Sequence, residues 1–431
     1  MASARMFMIS GIASGQGKTT VTAAIARKLV RDGLRVRVFK TGPDYLDPML
    51  LQRACGGEVY ALDLWMVGLD ACKRLLAEAA EEADVVLIEG VMGLYDGDPS
   101  SADLAQAFGV PVVTVIDAGK MARTVGALVM GLQQYGPVKL AGVVLNRIAS
   151  DNHRHQIVQG LRDVPVLATL PKQTESLPER HLGLVQADEL AQVDQLLDRL
   201  ADTIALDMPA WDAIMPVEVK PDTPQESPAP LLAGRKIAVA RDAAFAFTYH
   251  ANLACLRALG AEVVFFAPLA DEAVPADADG VYIPGGYPEL HCATLAAAGR
   301  WQQSMRDAYA RKVPILAECG GMMAITESIT DADGKSWHMP GLLPGRVVMQ
   351  PKLAGLGMQS LATEDGELRG HAFHYSTLET GLSPVGETIR RSNGAVGEAV
   401  YRHGSLTATY FHAYFASNPV ATARWFLPEQ A

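Results

Sequence analysis

The sequence has few cysteines and no long apolar run. Its five cysteines are odd in number and widely scattered, and no CxxC pair occurs, so neither a disulfide framework nor a zinc site of that type is indicated. A reducing cytoplasm is the simplest compartment for such a chain. No run of about 18 apolar residues is present, so a membrane span is not expected.

Positive charge is also in short supply. The chain has 37 Lys and Arg against 48 Asp and Glu, and its net charge of −11 argues against nonspecific binding to nucleic acid. The apolar stretch at residues 6–9 is not read as a signal peptide, because it is short and runs into a glycine-rich loop. The length of 431 residues predicts two or three domains.

Short apolar strands alternate with amphipathic helices in the first half of the chain. The predicted strands are 6–10, 36–39, 85–88, 112–116, 141–145 and 166–170, with helices at 20–31 and 70–82 among them. The strands are almost entirely apolar, which is typical of strands buried on both faces of a sheet. This alternation predicts an α/β domain with a parallel, doubly wound sheet.

A proline-rich segment separates this half from a second α/β pattern. Residues 216–230 contain five prolines and no apolar periodicity, as expected of an extended linker. We therefore predict an N-terminal domain over 1–215, a linker over 216–232 and a C-terminal domain over 233–431. The predicted elements of the last domain are strands at 236–240, 263–266, 280–283 and 313–317, a helix at 249–259, and a β-rich region over 347–376.

A phosphate-binding loop follows the first strand and opens a helix. In this loop, Ser-Gly-Ile-Ala-Ser-Gly-Gln-Gly-Lys-Thr-Thr at 10–20, glycines let backbone N–H groups face a phosphate, and the helix N-terminus adds positive potential. Lys18 is expected to reach the β- and γ-phosphates of ATP, and the Thr19 hydroxyl to ligate Mg²⁺. The predicted ATP-binding residues are Gly15, Gly17, Lys18, Thr19, Thr20 and Asn146.

Three details qualify the prediction of a phosphate-binding loop. Five residues separate Gly11 from Gly17, rather than four, a spacing that resembles the dethiobiotin synthetase-like branch of P-loop proteins. Ala13 stands where partition-type ATPases usually carry a second lysine. Asn146 ends a predicted strand, where it could read the edge of adenine or simply cap the strand.

Acidic residues follow the second and third strands. Ligands of open α/β sheets lie at the carboxyl ends of the strands, so Asp44 and Glu89 are expected to converge on the phosphate loop. Together with Thr19 they form the predicted Mg²⁺ site, since Mg²⁺ prefers a few hard oxygen ligands. Asp47 and Asp96 are further candidates near an acceptor substrate, although Asp44, Asp47 and Asp96 all also suit turns.

A cysteine stands at a predicted strand-to-helix turn in the second half. Cys319, in Glu-Cys-Gly-Gly, is expected to be exposed on a sharp bend, where the helix N-terminus lowers its pKa and favours a nucleophilic thiolate. The backbone N–H groups of Gly320 and Gly286 are candidate donors to an oxyanion.

The general base of such a site must be a histidine. His412, after a strand-like run, is the preferred candidate, and His371 and His374 compete with it. Many class I glutaminases have a glutamate two residues after the catalytic histidine. Tyr414 occupies that position here, so the third member of the triad is not identified.

These motifs together resemble the cobyrinic acid a,c-diamide synthase family, which includes the hydrogenobyrinic acid a,c-diamide synthases. The resemblance covers nearly the whole chain and is carried by SGQGKTT, KTGPDYLDP, EGVMGLYDG, LPERHLGL, RDAAFAFTYHANL, PGGYPEL, AECGGMM, GHAFHYS and YFHAYFASNP. In LPERHLGL, Arg180 and His181 could attract a polycarboxylate or be ordinary solvated residues. The implied fold is a P-loop domain joined to a class I glutamine amidotransferase-like domain.

The resemblance also implies the chemistry. Glutamine is hydrolysed through a Cys319 thioester with His412 as base, and Mg-ATP phosphorylates an acetate of a tetrapyrrole. Ammonia then displaces the phosphate, and the cycle runs on the a and c acetates in turn. The implied acceptor-binding residues are Tyr45, Leu46, Asp47, Asp96, Arg241, Tyr249 and His374.

Other functions and partners remain open at this point. Ni-sirohydrochlorin is an alternative acceptor to cobyrinic and hydrogenobyrinic acid. A P-loop regulatory ATPase with an inactive glutaminase-like module is an alternative of another class. The expected partners are small molecules, namely a tetrapyrrole polycarboxylate, glutamine and ATP, with no nucleic acid and no membrane, and a homodimer is compatible with the sequence.

Overall fold

The computed structural model describes residues 3–173, 179–180, 183–184, 186, 192–224 and 227–428, with only the backbone at 179–180 and 183–184. The chain divides into two compact units, Met1–Gln225 and Glu226–Ala431. This division lies within the segment that the sequence assigns to the linker. The N–H of Val217 donates to the carbonyl of Ala4 at 2.9 Å, so the start of that segment packs on the first unit. The domain bounds remain a prediction.

The first unit is built on an eight-stranded sheet with the order β10-β7-β6-β5-β1-β4-β2-β3. All of its strand pairs are parallel except that of β10 with β7. The strands are β1 Arg5–Gly11, β2 Val36–Thr41, β3 Tyr60–Leu62, β4 Val85–Glu89, β5 Val112–Asp117, β6 Leu140–Ile148, β7 Val166–Pro171 and β10 Ala205–Leu206, and the pair β8 Glu179–Arg180 and β9 Gly183–Leu184 stands apart.

Helices cover both faces of this sheet. They are α1 Lys18–Arg31, α2 Leu46–Cys55, α3 Leu69–Glu82, α4 Ser101–Phe108, α5 Thr124–Tyr135, α6 Asp151–Val158, α7 Val193–Thr203 and α8 Met208–Asp212, with a π-helical turn at Leu64–Gly68. Successive residues of β1 enter different cores: Phe7 and Ile9 pack on one face, and Met6 and Met8 on the other. The predicted strands buried on both faces are therefore confirmed.

The second unit contains a ten-stranded sheet with the order β12-β11-β13-β14-β23-β22-β21-β18-β19-β24 and a four-stranded sheet with the order β16-β15-β17-β20. The first five strands of the larger sheet are parallel, and the others are antiparallel. The strands are β11 Lys236–Ala240, β12 Glu262–Phe266, β13 Gly280–Ile283, β14 Ile315–Glu318, β15 Thr326–Thr330, β16 Ser336–His338, β17 Leu343–Met349, β18 Gly355–Thr363, β19 Gly366–His374, β20 Ser376–Glu379, β21 Gly386–Arg390, β22 Val396–His403, β23 Leu406–Thr409 and β24 His412–Ala413.

Five helices complete this unit. They are α9 His250–Ala258, α10 Cys292–Ala297, α11 Gly299–Ala310, α12 Gly320–Met323 and α13 Pro419–Arg424, with 3₁₀ turns at Pro268–Ala270, Pro288–Leu290 and Phe415–Ser417. The predicted α/β class of both halves is thus confirmed, as is the β-rich region near 347–376. Of the LPERHLGL motif only fragments of backbone are described, so the side chain of Arg180 and all of His181 lie outside the described residues. No helix in the described part of the chain is long and apolar enough to span a membrane.

Candidate active sites

The phosphate loop connects β1 to α1 and has the backbone that its glycines allow. Gly15 and Gly17 have φ values of 76° and 82°, a region that side chains disfavour. A Cβ on Gly17 would lie 2.3 Å from Nδ2 of Asn146, so only glycine fits there. The first turn of α1 then brings Lys18, Thr19 and Thr20 to the end of the loop.

Asn146 supports this loop from the end of β6. Its Nδ2 donates to the carbonyl of Gln16 at 2.9 Å, and its Oδ1 accepts from the N–H of Arg147. The side chain is buried. The structure therefore gives Asn146 a loop-holding role, and its contact with adenine remains a prediction.

The ammonium group of Lys18 is held close to the loop. It donates to the carbonyl of Ala13 at 3.3 Å and to that of Met92. Burial lowers the pKa of Lys18, and the nearby positive charge of Lys40 lowers it further, whereas Glu89 opposes the shift. The charge balance around this lysine is therefore set by groups from β2 and β4 as well as by the loop.

Carboxylates from the end of β4 and the start of α2 meet Thr19. Its Oγ1 donates to Oε1 of Glu89 at 2.7 Å and to Oδ2 of Asp47 at 3.2 Å. Asp44 is placed differently from the sequence expectation, because its Oδ1 accepts from the N–H groups of Leu46 and Asp47 and so holds the start of α2. The structure thus puts Asp47, rather than Asp44, against the Thr19 hydroxyl.

Lys40 is the functional candidate that the sequence analysis missed. Its Nζ lies 2.9 Å from Oε1 of Glu89, 2.8 Å from Oδ2 of Asp47 and 3.9 Å from Oδ2 of Asp44. Lys40 is buried, which lowers its pKa, but these carboxylates raise the pKa of Lys40 well above its usual value on balance. The sequence pattern that could have indicated Lys40 is a lysine at the end of a strand, directly after two apolar residues in Val-Phe-Lys.

The residues around Thr19 fit a cation. Oε2 of Glu89 is buried and has no hydrogen-bond partner among the described residues, and burial raises the pKa of Glu89. An orphaned carboxylate oxygen of this kind is a ligand that Mg²⁺ would accept. Within the described ranges no three carboxylate, histidine or cysteine side chains form a metal cluster by themselves, so a metal here would need Thr19 and other oxygens.

The other acceptor candidates of the first unit lie at the same edge of the sheet. Tyr45 immediately precedes α2, and Leu46 is its first, buried residue. Asp96, in the β4–α4 loop, is exposed and accepts a hydrogen bond from the N–H of Gly93 at 3.1 Å. Its charge raises the pKa of Lys18, so it lies within electrostatic reach of that ammonium group.

Cys319 stands on the sharp bend between β14 and α12. Its φ and ψ of 47° and −110° are rare for a residue with a side chain and mark a strained turn. Its N–H donates to the carbonyl of Thr409 at 2.7 Å, which ties the bend to β23. The predicted bend is confirmed, but the predicted exposure is wrong, because Cys319 is only 5% exposed.

The expected lowering of the Cys319 pKa is wrong. Burial raises the pKa of the thiol, and the negative charge of Glu289 raises it further. The helix that follows, α12, has only four residues, Gly320–Met323, so its dipole is too small to offset burial. The resting nucleophile is therefore a neutral thiol.

The two predicted oxyanion glycines are packed against each other. A Cβ on Gly320 would lie 2.7 Å from the carbonyl oxygen of Gly286 and 2.9 Å from its nitrogen. A Cβ on Gly285 would lie 2.4 Å from Cε1 of His412. The Gly285–Gly286 backbone thus contacts both the residue after the nucleophile and the candidate base.

His412 is held by a second histidine. The rings of His412 and His371 stack with centroids 4.9 Å apart and an angle of 14°, and their strands pair directly. Tyr249 lies behind this pair, with its hydroxyl 3.5 Å from Nδ1 of His371 and its ring edge-on to Tyr414. Burial lowers the pKa of both histidines, to about 3 for His371, so the pair is neutral at rest.

His374 is engaged elsewhere. Its ring stacks on Tyr410 at 3.8 Å, Nδ1 lies 2.9 Å from the carbonyl of Ser376, and Nε2 lies 3.2 Å from Oε2 of Glu398. These contacts favour His412 over His374 as the base. Arg241 is exposed and lies over the ring of Phe265, 4.9 Å from its centroid.

The buried carboxylate nearest to Cys319 in sequence does not complete a triad. Glu318 accepts from the hydroxyl of Tyr282 at 2.6 Å and from the N–H of Ala413 at 3.1 Å. Burial is the main cause that lowers the pKa of His412, and the neighbouring His371 and His374 lower it further. Stacking on His371 and pairing of their two strands therefore hold His412 beside Gly285, and its pairing with Cys319 remains a prediction.

Comparison with known proteins agrees with this geometry. Residues 7–185 match the CobQ/CobB/MinD/ParA nucleotide binding domain, and residues 236–420 match the CobB/CobQ-like glutamine amidotransferase domain. The first match contains the phosphate loop with Glu89, and the second contains Cys319 and His412.

Relatives of similar length match almost the entire chain. A cobyrinate a,c-diamide synthase of Herminiimonas arsenicoxydans is 73% identical over 99% of this chain and 98% of the relative. A hydrogenobyrinate a,c-diamide synthase of Stutzerimonas stutzeri is 51% identical over 98% of each. A cobyrinate a,c-diamide synthase of Priestia megaterium is 36% identical over 98% of this chain and 96% of the relative. The chain therefore belongs to the family of cobyrinate and hydrogenobyrinate a,c-diamide synthases.

Proposed function

We propose that this protein is a ligase that uses ATP and glutamine to amidate the a and c acetates of cobyrinate or hydrogenobyrinate. The observation that carries this proposal is the 73% identity, over 99% of the chain, to a cobyrinate a,c-diamide synthase. Two candidate sites in separate units support it, one suited to a nucleotide phosphate and one to nucleophilic attack. Cobyrinate is the first acceptor to test, because that relative is named for it.

The second unit releases ammonia from glutamine. The Cys319 thiol attacks the carboxamide carbon while His412 takes its proton, and the carbonyl oxygen becomes an oxyanion facing the N–H groups of Gly320 and Gly286. Collapse of this intermediate expels ammonia, with the proton returned by His412, and leaves a thioester that water hydrolyses. Since thiol and imidazole are both neutral at rest, proton transfer is unfavourable until glutamine is bound.

The first unit activates the acceptor carboxylate. The loop N–H groups and Lys18 bind the phosphates of ATP, and the acetate attacks the γ-phosphorus to give an acyl phosphate and ADP. Ammonia then attacks the acyl carbon and phosphate leaves, which produces the amide. Mg²⁺ at Thr19, Glu89 and Asp47 would neutralise phosphate charge, and Lys40 keeps these buried carboxylates compensated.

For the acceptor, we propose Tyr45, Leu46, Asp47 and Asp96 at the carboxyl edge of the first sheet. Tyr249 and His374 were expected to bind the acceptor as well. Their contacts with His371 and Tyr410 support a role in holding the glutaminase site instead. Arg241 keeps its predicted acceptor role, as a positively charged and exposed group in the second unit.

The alternative functions have less support. The relatives described above are named for cobyrinate or hydrogenobyrinate, so Ni-sirohydrochlorin is not favoured as the acceptor. A regulatory ATPase would hydrolyse ATP without a tetrapyrrole. ATP turnover should therefore be measured with each substrate left out in turn. We expect turnover to need cobyrinate and either glutamine or ammonia, and turnover without cobyrinate would favour the regulatory function.

We also propose that the enzyme works in the cytoplasm, where its five cysteines, all free and buried, would stay reduced. A homodimer is the assembly we propose. Sedimentation equilibrium of the purified chain tests it, and a monomer mass would contradict it.

A further inference from the structure

Glu289 lies in the loop that carries the Gly286 N–H. The loop continues Gly-Gly-Tyr-Pro-Glu into the 3₁₀ turn Pro288–Leu290. A Cβ on Gly320 would lie 2.8 Å from Cδ of Pro288, so this turn packs directly against the residue that follows the nucleophile. The loop that offers an oxyanion donor therefore also brings a carboxylate to the same place.

Among the described residues, no cation pairs with this buried carboxylate. Oε2 of Glu289 is a buried oxygen with no hydrogen-bond partner in the part of the chain that the structure describes. Burial raises the pKa of Glu289 to about 7. An ionised carboxylate in such a position is unfavourable unless a cationic group pairs with it.

Glu289 lies within electrostatic reach of Cys319. The Glu289 carboxylate raises the pKa of the Cys319 thiol more than Glu398 or Glu318 does. It also raises the pKa of Tyr410, whose ring lies on His374. Because the turn of Pro288 packs on Gly320, a substrate whose carboxamide reaches the thiol would have its remaining atoms near this turn and its carboxylate.

We propose that Glu289 binds the α-ammonium group of glutamine and so positions the carboxamide at Cys319. The inference rests on the proposed glutaminase reaction and assigns a residue to recognition of the amino-acid part of the substrate. The α-ammonium supplies the positive charge and the N–H donors that Oε2 lacks. Pairing also neutralises the negative charge that adds to the effect of burial on the Cys319 pKa, so glutamine binding favours the thiolate.

The test compares two amides in wild-type enzyme and in Glu289→Gln. Glutaramate has the carboxamide and a carboxylate of L-glutamine but lacks the α-ammonium. For L-glutamine, we expect KM to rise roughly 10- to 100-fold in the variant, the range for one lost hydrogen bond to a charged group. For glutaramate, KM should change little, so the preference for glutamine shrinks by the same factor.

A second readout separates substrate binding from structural damage. In the free enzyme, Glu289→Gln should speed alkylation of Cys319 by iodoacetamide, because the opposing negative charge is gone. Weaker glutamine binding together with a more reactive thiol is a combination that a distorted site would not produce. Glu289→Asp should recover part of the preference for glutamine. Glu327→Gln, at an exposed position of the same unit, is the matched control.

Equal loss of activity on both amides, or an unchanged KM for glutamine, would overturn the assignment. Amidation driven by ammonium chloride should be the same in wild type and Glu289→Gln. If the wild-type chain hydrolysed no glutamine while ammonia-driven amidation proceeded, the proposed glutaminase reaction would be wrong, and not only the role of Glu289.

Discussion

The ammonium group of Lys40 lies 2.9 Å from Oε1 of Glu89, and both side chains are buried. The same carboxylate oxygen accepts the hydroxyl of Thr19, the predicted metal ligand of the phosphate loop. An ion pair and a hydrogen bond thereby link β2, β4 and α1 at the carboxyl edge of the first sheet. The stability of the first unit and the ligase reaction should both depend on the ion pair of Lys40 and Glu89.

Replacing Lys40 with methionine should remove ligation and destabilise the first unit. Glu89 and Asp47 would lose their positive partner, and breaking a buried ion pair typically costs about 3–5 kcal/mol. Thermal unfolding and ammonia-dependent amidation measure the two effects. Lys139→Met, at an exposed site, is the control and should change neither. A Lys40→Met protein with wild-type stability and activity would show that the pair is unimportant.

Replacing Cys319 with alanine should abolish amidation driven by glutamine and preserve amidation driven by ammonia. The thiol is the only proposed nucleophile of the second unit, and the phosphate loop lies in the first. Product formation with each nitrogen donor measures the difference. Cys255→Ala removes another buried thiol, in α9, and should keep both activities. Loss of both activities in Cys319→Ala would argue against two separable reactions.

Adding one methyl group at Gly320 should impair the glutaminase. The new Cβ would lie 2.7 Å from the carbonyl oxygen of Gly286 and 2.8 Å from Pro288, so the two oxyanion donors must move apart. We expect kcat for glutamine hydrolysis to fall by about 100-fold, as for loss of one oxyanion donor. Gly299→Ala, where nothing lies within 4 Å of the new Cβ, should be neutral. Equal kcat in the two variants would contradict the proposed oxyanion site.

Glu318 should make stability depend on pH. Burial raises its pKa from 4.5 to about 8, so the folded state prefers the protonated form. This contribution is fully present below pH 4.5 and is lost as pH rises towards 8, with a slope of at most about 1.4 kcal/mol per pH unit. Denaturant unfolding of wild type and Glu318→Gln across this range measures it. The difference in free energy of unfolding between wild type and Glu318→Gln should change steadily with pH. A difference that stays constant would contradict the raised pKa of Glu318.

The sequence predicted the elements and their strand ends well, for physical reasons. Fully apolar strands must be buried on both faces, and parallel strands bring their carboxyl ends to one edge, so Thr19 and Glu89 could be expected to meet. Cys319 could be placed on a bend because Glu-Cys-Gly-Gly links a strand to a helix. These inferences depend on local pattern and on general rules of sheet topology.

Charge and burial within the sites could not be predicted in the same way. The pKa of Cys319 depends first on its burial in the fold and then on the charge of Glu289, and neither can be read from the residues around the cysteine. Asp47 contacts Thr19 where the sequence predicted Asp44. Which of the two does so depends on how one turn orients two side chains three residues apart. Lys40 was missed because a lysine at a strand end is usually solvated, and only the fold shows that it is enclosed.

Mass spectrometry of the product tests the central claim most directly. Cobyrinate, hydrogenobyrinate and Ni-sirohydrochlorin would each be incubated with enzyme, Mg-ATP and glutamine. We predict two successive conversions of carboxyl to amide on cobyrinate or hydrogenobyrinate, with none when ATP is omitted. A folded enzyme that binds ATP but leaves both of these unchanged would contradict the account.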